Sequence, residues 1–317
     1  MTNELLALQD IRDAHTRIRP HINLTPVMTS ETLDANAGAR LFFKCENLQK
    51  AGAFKARGAT NAVLSLLEAE AVVTHSSGNH AAALARAAKL RGIPAYIVMP
   101  DNSPKAKQES VRRYGGEIIF CAPTLQAREA TAKQLMEKTG AAFVHPYNDL
   151  RVMAGQGTSA LELLETVADL DVVLCPIGGG GQISGIATVI KALQPRIQVI
   201  GVEPAGADDA QRSFKAGHII PCEQPNTVAD GLRVSLGDNT FAVIQRHVDD
   251  IVTVSEVGII QAMRLIWEVM KLVVEPSGAV PYAAVLESKL QLKGKRVALI
   301  LSGGNLDLDH LPWQKED

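Results

Sequence analysis

Cysteine is scarce in this 317-residue chain. The four present, Cys45, Cys121, Cys175 and Cys222, form no CxxC pair and no metal-ligand spacing. A disulfide framework and a cysteine zinc site are thereby excluded. Cys121 and Cys175 close apolar strand-like runs, which predicts buried free thiols and a reducing compartment. Excess charge of either sign is also missing: 32 Lys and Arg stand against 34 Asp and Glu, for a formal net charge of −2. No pull towards nucleic acid or a membrane surface follows. No apolar run reaches the roughly 18 residues of a membrane span. The amphipathic, charged start MTNELLALQDIRDAH is unlike a secretory signal. No repeat of fixed period and no low-complexity segment occurs. What is present is an ordinary 46% apolar content, enough for a sizeable core and about two domains. The expectation is a cytoplasmic enzyme or binding protein.

Periodicity then gives the elements. Leu5, Leu8, Ile11, Ala14 and Ile18 recur at helical spacing over 3–18, and Pro20 stops the run. A short strand over 41–44 leads into a helix over 55–68. Strands follow at 71–75, 95–99, 117–121 and near 142–146, with helices between them. Further strands are expected at 171–175, 198–204, 250–254 and 296–302, with a helix over 154–167 and irregular chain over 218–238. Strand–helix alternation at this spacing predicts parallel sheets with crossovers. The βα run 71–147 reads as a smaller, mobile domain set into a larger one made of 1–70 and 148–317.

The chemistry-bearing residues fall beyond strand ends, where parallel sheets bind ligands. In KCENLQKAGAFKARG (44–58), Lys55 follows small residues and Phe54. It is either a surface lysine opening a helix or an amine made nucleophilic by desolvation. PIGGGGQISG (176–185) opens a helix with four glycines. One or two would serve a tight turn; four suit close backbone approach and N–H capture of a phosphate. Ser184 breaks the third position of a dinucleotide fingerprint, and no GKS/T follows. SSGNH (76–80) either caps a helix or receives a carboxylate. Ser302, in LSGGN (301–305), lies in a turn after the last strand. An amine, a phosphate cradle, an anion loop and a hydroxyl form the inventory that pyridoxal phosphate requires.

With these loops in place, the chain resembles the fold type II pyridoxal-phosphate enzymes, in the serine racemase and serine/threonine dehydratase branch. The resemblance runs nearly end to end. It is carried by TPVMTS (25–30), FFKCENLQKAGAFKARGA (42–59), VVTHSSGNHAAALA (72–85), GIPAYIVMP (92–100), AGQGT (154–158), PIGGGG (176–181), VEPAGADDA (202–210), VADG (228–231), VVEPSGA (273–279) and LSGGNLDL (301–308). It implies two α/β domains, each an open, mostly parallel twisted sheet with flanking helices, like the β subunit of tryptophan synthase. The implied activity is a racemase of serine that also dehydrates serine or threonine to a keto acid and ammonia. The alternative is a dedicated dehydratase of L-threonine, L-threo-3-hydroxyaspartate or another β-hydroxy amino acid.

Residue by residue, the resemblance implies that Lys55 carries the cofactor and that Phe54 packs near its ring. Asn79 would meet the ring hydroxyl, Gly178, Gly179, Gly180 and Gly181 the phosphate, and Ser302 the ring nitrogen. Ser76, Ser77, Asn79 and His80 would receive the substrate carboxylate, with Arg128 near the substrate. Ser77 would face Lys55 across the substrate, giving two bases on opposite sides of the α-carbon. Glu203, Asp209 and the Ala207 carbonyl match a divalent-cation site, suited to Mg²⁺, with Ca²⁺ or Mn²⁺ as alternatives. A homodimer is implied as well. Several positions depart from the family pattern. Val234 stands where animal-type serine racemases have a substrate-side serine. Lys50 and Lys107 match part of their ATP effector pocket, whereas Glu31 and Tyr147 do not. Competing readings are β-replacement on the same scaffold, for which SSGNH is the wrong loop form, and a nucleotide-binding oxidoreductase or non-catalytic regulator.

Overall fold

The computed structural model describes residues 5–314. Along the chain run α1 (Leu8–Ile18), β1 (Val27–Met28), α2 (Glu31–Ala37), β2 (Arg40–Lys44) and α3 (Lys55–Ser65). Next come β3 (Val72–His75), α4 (Asn79–Arg91), β4 (Ala95–Pro100), α5 (Lys105–Arg113), β5 (Glu117–Cys121), α6 (Leu125–Thr139) and β6 (Ala142–Phe143). The chain continues through α7 (Leu150–Thr166), β7 (Val172–Pro176), α8 (Gly181–Leu193), β8 (Gln198–Pro204), α9 (Asp209–Ala216), α10 (Asp238–His247) and β9 (Asp250–Val254). It closes with α11 (Glu256–Leu265), α12 (Pro276–Leu286) and β10 (Arg296–Ile300).

Two sheets result. The larger has the order β1-β2-β10-β7-β8-β9 and the smaller β5-β4-β3-β6. All pairings are parallel except the short β1–β2 ribbon. The smaller sheet is built wholly from strands between 72 and 143, the larger from strands on either side of that stretch.

Alternation along β10 shows how the larger sheet is stabilised. Ala298 and Ile300 enter one core with Val173, Cys175 and residues of α7, α8 and α10; Val297 and Leu299 enter the other with Leu174, Tyr282 and residues of α11 and α12. Successive side chains of a strand point to opposite faces, so both faces of β10 and β7 must be apolar. Each such side chain, fully buried, contributes roughly 1.5–3 kcal/mol.

Several expectations are corrected. α1 begins at Leu8, so residues 5–7 lie outside the helix, while 3 and 4 lie outside the described residues. α3 stops at Ser65, and α7 begins at Leu150, where the Asp149 carboxylate accepts from the Arg151 N–H and caps it. Cys175 is buried as expected, but Cys121 is only half-buried because β5 is an edge strand. Among the described residues no helix is long and apolar enough to cross a membrane.

Candidate active site

Strand β2 delivers the chain to Lys55 through a tight double turn. Ala51 and Gly52 take left-handed conformations (φ 57° and 72°). A Cβ on Gly52 would also lie 2.3 Å from Asn305 Oδ1, so both conformation and space call for glycine there. The Phe54 N–H then donates to the Ser302 carbonyl (3.0 Å), and Ala53 bridges Gly303. The lysine turn is thus tied directly to the turn after β10.

Lys55 is half-buried at the first position of α3. Its Nζ donates to the Pro146 carbonyl (2.8 Å) and stands 5.1 Å from the Phe54 ring centroid. Burial pulls its pKa down to about 8, opposed by the nearby Glu275 carboxylate. A useful fraction is therefore free amine near neutral pH.

Beyond β7, Gly178, Gly179, Gly180 and Gly181 are all buried and lead into α8. No hydrogen bond carries their N–H groups to another part of the described chain. Four unused donors at the start of a 13-residue helix form an anion cradle. Ser302, 3% exposed, has no hydrogen-bond partner for its hydroxyl among the described residues. A near-neutral amine, a free N–H cradle and a neutral buried hydroxyl together fit pyridoxal phosphate.

The loop 76–80 joins β3 to α4. The Ser76 hydroxyl accepts from the Gly78 N–H (3.4 Å), while Ser77 is half-buried with its hydroxyl unengaged among the described residues. The His80 imidazole turns inward instead: it is 2% exposed, lies 3.4 Å from the Val144 carbonyl, and burial holds it neutral. It offers the loop its main-chain N–H and not its ring. Asn79 donates to Glu275 Oε1 (2.8 Å) and accepts from Asn305 Nδ2 (2.9 Å). Arg128, on α6, is half-buried and near enough to Tyr147 to lower that phenol's pKa against the larger effect of burial. Val234 is 38% exposed.

Glu203 and Asp209, each 1% exposed, come together where β8 meets α9. Glu203 accepts from the Ala210 and Gln211 N–H groups (3.1 and 2.8 Å), yet burial and the neighbouring Asp209 raise its pKa well above the ordinary range. Burial lifts Asp209 to about 6, and its Oδ2 has no partner. Ala207 is buried beside them. Among the described residues no three His, Cys, Asp or Glu side chains cluster at metal spacing. The candidate cation site therefore rests on two carboxylates and one carbonyl.

Sequence reasoning missed Glu275. It reads as a helix-start acid in VVEPSG, yet it is 4% exposed and accepts from Asn79 and from the Asn305 N–H (3.1 Å). Burial, with Asp230 nearby, pushes its pKa up to about 8. The available signal was a lone acid amid apolar residues. In the unfolded chain the group titrates near 4.5, so between about pH 4.5 and 8 the native state keeps a proton that the unfolded state has released. Stability falls as pH rises through that window. Lys55 adds no slope below about pH 8, because both states are then protonated. In cofactor-free protein, Glu275→Gln is expected to flatten the decline in melting temperature between pH 5 and 8, measured by calorimetry. An unchanged slope would refute the assignment.

A family model described as "Pyridoxal-phosphate dependent enzyme" matches residues 18–303. The chain is 54% identical over 308 residues to the β-hydroxyaspartate dehydratase of Paracoccus denitrificans (strain Pd 1222), covering 96% of this chain and 98% of that one. It is 53% identical over 309 residues to the serine racemase of Arabidopsis thaliana, covering 95% and 93%. The solved structure of maize serine racemase superposes with a TM-score of 0.94 at 48% identity, covering 96% and 95%.

Proposed function

The chain belongs to the pyridoxal-phosphate-dependent enzyme family, and from that premise we propose that it racemises serine and dehydrates small β-hydroxy amino acids. The observation that carries this reading is the meeting of Lys55, the Gly178–Gly181 cradle and Ser302 beside a serine-rich loop. Pyridoxal phosphate, when bound, supplies an aldehyde for primary amines and an electron-withdrawing ring that acidifies the α-carbon.

The chain's own residues supply the rest. Lys55 would hold the cofactor through its amine and, as a base poised near neutral pH, would take the α-proton of the substrate. Phe54 flanks its amine. Gly178, Gly179, Gly180 and Gly181 would hold the phosphate through N–H groups, Ser302 would offer the ring nitrogen a neutral hydroxyl, and Asn79 would meet the ring hydroxyl. Asn79 and His80 would present main-chain donors at the start of α4 to the substrate carboxylate, and Ser76, whose own N–H is held by the Val98 carbonyl (3.2 Å), would present its hydroxyl. Ser77, with its hydroxyl free, returns a proton on the face opposite Lys55, which inverts the α-carbon. Loss of the β-hydroxyl instead leads to keto acid and ammonia. The unit 71–147 moves as a small domain to admit substrate, hinged at its last residues, where Pro146 and Tyr147 stay against Lys55 and Gly179. Glu203, Asp209 and the Ala207 carbonyl would hold Mg²⁺, whose charge would offset two buried carboxylates of raised pKa. A homodimer in the cytoplasm completes the reading. ATP as effector has only Lys50 and Lys107 in its favour, and Lys107 is already paired with Asp230 (2.6 Å).

A dedicated dehydratase is the second reading. It is favoured by the 54% identity to a β-hydroxyaspartate dehydratase and by Arg128, a cation on the side of Tyr147 suited to a second carboxylate. The test is a screen of L-serine, L-threonine and L-threo-3-hydroxyaspartate with chiral product detection, with and without Mg²⁺. D-serine and keto acid from L-serine are expected, each increased by Mg²⁺. Ser77→Ala is expected to lower D-serine formation by about 100-fold or more, and keto acid from L-serine by far less. Keto acid with no D-serine would favour the second reading. Equal losses in both products would remove Ser77 from its role.

A further inference from the structure

The turn between β6 and α7, residues 145–148, carries the chain from the smaller sheet to the larger. Each of its residues touches the cofactor site or supports one that does. The Pro146 carbonyl accepts from Lys55 Nζ (2.8 Å). The Tyr147 ring lies flat on the glycine loop: a Cβ on Gly179 would stand 2.3 Å from its Cγ and 2.4 Å from both Cδ atoms. A Cβ on Gly181 would meet the Tyr147 Cβ at 3.0 Å. Asn148 Oδ1 accepts from the Asn239 and Thr240 N–H groups (2.9 and 3.4 Å), capping α10. That helix in turn packs on Gly180 through Thr240 and Ile244.

His145 holds the turn together. Its Nδ1 accepts from the Tyr147 and Asn148 N–H groups (3.3 and 2.9 Å), and its ring stands edge-on to Tyr147 at 4.6 Å. The ring also meets His75 and Phe143 at 5.8 and 6.0 Å. Burial, with His75 and Lys55 adding, pushes its pKa down to about 4, so the Nδ1 lone pair is available at neutral pH.

We infer that residues 145–148 are a positioning turn for the cofactor: His145 fixes it, and it sets the Lys55 amine and the phosphate cradle at a fixed separation. Tyr147 is the wall against which Gly179 is pressed. The four glycines alone would form a pliable loop, because a residue without Cβ restricts its backbone least. An aromatic face on one side and a capped helix on the other remove that freedom before any ligand arrives, which is how preorganisation raises affinity. Lys55 would hold pyridoxal phosphate at one end of this span and the glycine cradle would hold it at the other. The inference rests on the reading of those residues as the cofactor site.

The experiment is a titration of pyridoxal phosphate into cofactor-stripped full-length protein, followed by bound-cofactor absorbance and by displacement with inorganic phosphate. Gly179→Ala is expected to weaken binding by about 100-fold, since the new methyl and the Tyr147 ring cannot both fit. In a Tyr147→Ala background, the same Gly179→Ala change is expected to cost less than about threefold. His145→Asn, whose side-chain oxygen can accept the same two N–H groups, should bind within about threefold of the wild type. His145→Leu should bind at least about tenfold more weakly. His145→Leu leaves two N–H groups without an acceptor and can unfold, so the Gly179/Tyr147 cycle carries the test by itself. An equal cost of Gly179→Ala in both backgrounds overturns the wall, and His145→Asn as weak as a folded His145→Leu overturns the role of the imidazole. A wild-type chain that takes up no pyridoxal phosphate overturns the cofactor reading and this inference with it; normal wild-type uptake with additive variants overturns only the inference.

Discussion

Lys55→Ala is expected to give a folded, colourless protein with no measurable racemisation or dehydration, a loss of about 10⁴-fold or more. The argument is local. Lys55 opens α3 with its amine on the Pro146 carbonyl and beside the Phe54 ring. Burial has already lowered its proton affinity to about 8. No other amine shares these contacts among the described residues. Lys55→Arg should be equally inactive, because a guanidinium keeps its proton and cannot condense with an aldehyde. Folding should survive, since the change removes a desolvated amine and one hydrogen bond to a carbonyl. Visible absorbance and keto acid release after addition of cofactor would check this. A variant that stays yellow and turns over would refute the central role of Lys55.

Arg57→Leu is expected to be the most damaging single change to stability. Arg57 is fully buried two residues beyond Lys55. It forks to Glu46 (2.7 and 2.8 Å) and to Glu162 (2.6 and 2.7 Å) and also reaches Thr158 and Thr25. Lys44, equally buried, donates to Glu162 (2.6 Å) and to the Thr25 carbonyl (2.8 Å). Two cations and two carboxylates thus neutralise one another inside the protein. Removing one guanidinium leaves a buried carboxylate without its partner, at a cost of about 3–5 kcal/mol. That is a large part of the roughly 5–15 kcal/mol that keeps a domain folded. Calorimetry should show a drop in melting temperature of roughly 6–10 °C. A variant melting within 2 °C of wild type, on the order of 1 kcal/mol, would refute the account. The pairing also sets a pH dependence. Burial pushes the Glu46 carboxyl up, but Arg57 together with Lys44 and Thr25 more than offsets it and holds Glu46 below the ordinary carboxylate range, so its contribution is present above that range and lost as pH falls through the lowered value. Arg57→Leu should therefore lose less stability than wild type on acidification.

Much of the fold was legible because its signals are short-range. β7 is VVLCP, followed by Ile177 and a glycine run, and β10 carries four consecutive apolar residues after Arg296. A strand buried on both faces reads as an unbroken apolar stretch, wherever its neighbours lie in the chain. Small elements were harder. α2, seven residues long, and β1, two residues long, are too brief for periodicity to speak. Their existence depends on the Ser30 cap and on pairing with β2.

By itself, the sequence determined the family, the parallel α/β architecture, and the loops that hold Lys55, the four glycines, Ser77 and Ser302. Each of these is a local pattern: a strand end, then glycines, serines or a lysine that can meet a ligand as well as shape a turn. The tertiary structure alone decided what those loops meet. Glu275 reaches Asn79 across 196 residues, Arg57 reaches Glu162 across 105, and Lys55 reaches Pro146 across 91. Tyr147 read in the sequence only as a departure near an effector pocket, and the structure lays its ring on Gly179. His80 read as a ligand of the carboxylate loop, and the structure turns its ring into the core. The physical reason is the same in each case. Burial, pKa and hydrogen-bond partners belong to pairs of residues brought together by chain crossovers, and no spacing within either segment records which segment it will face.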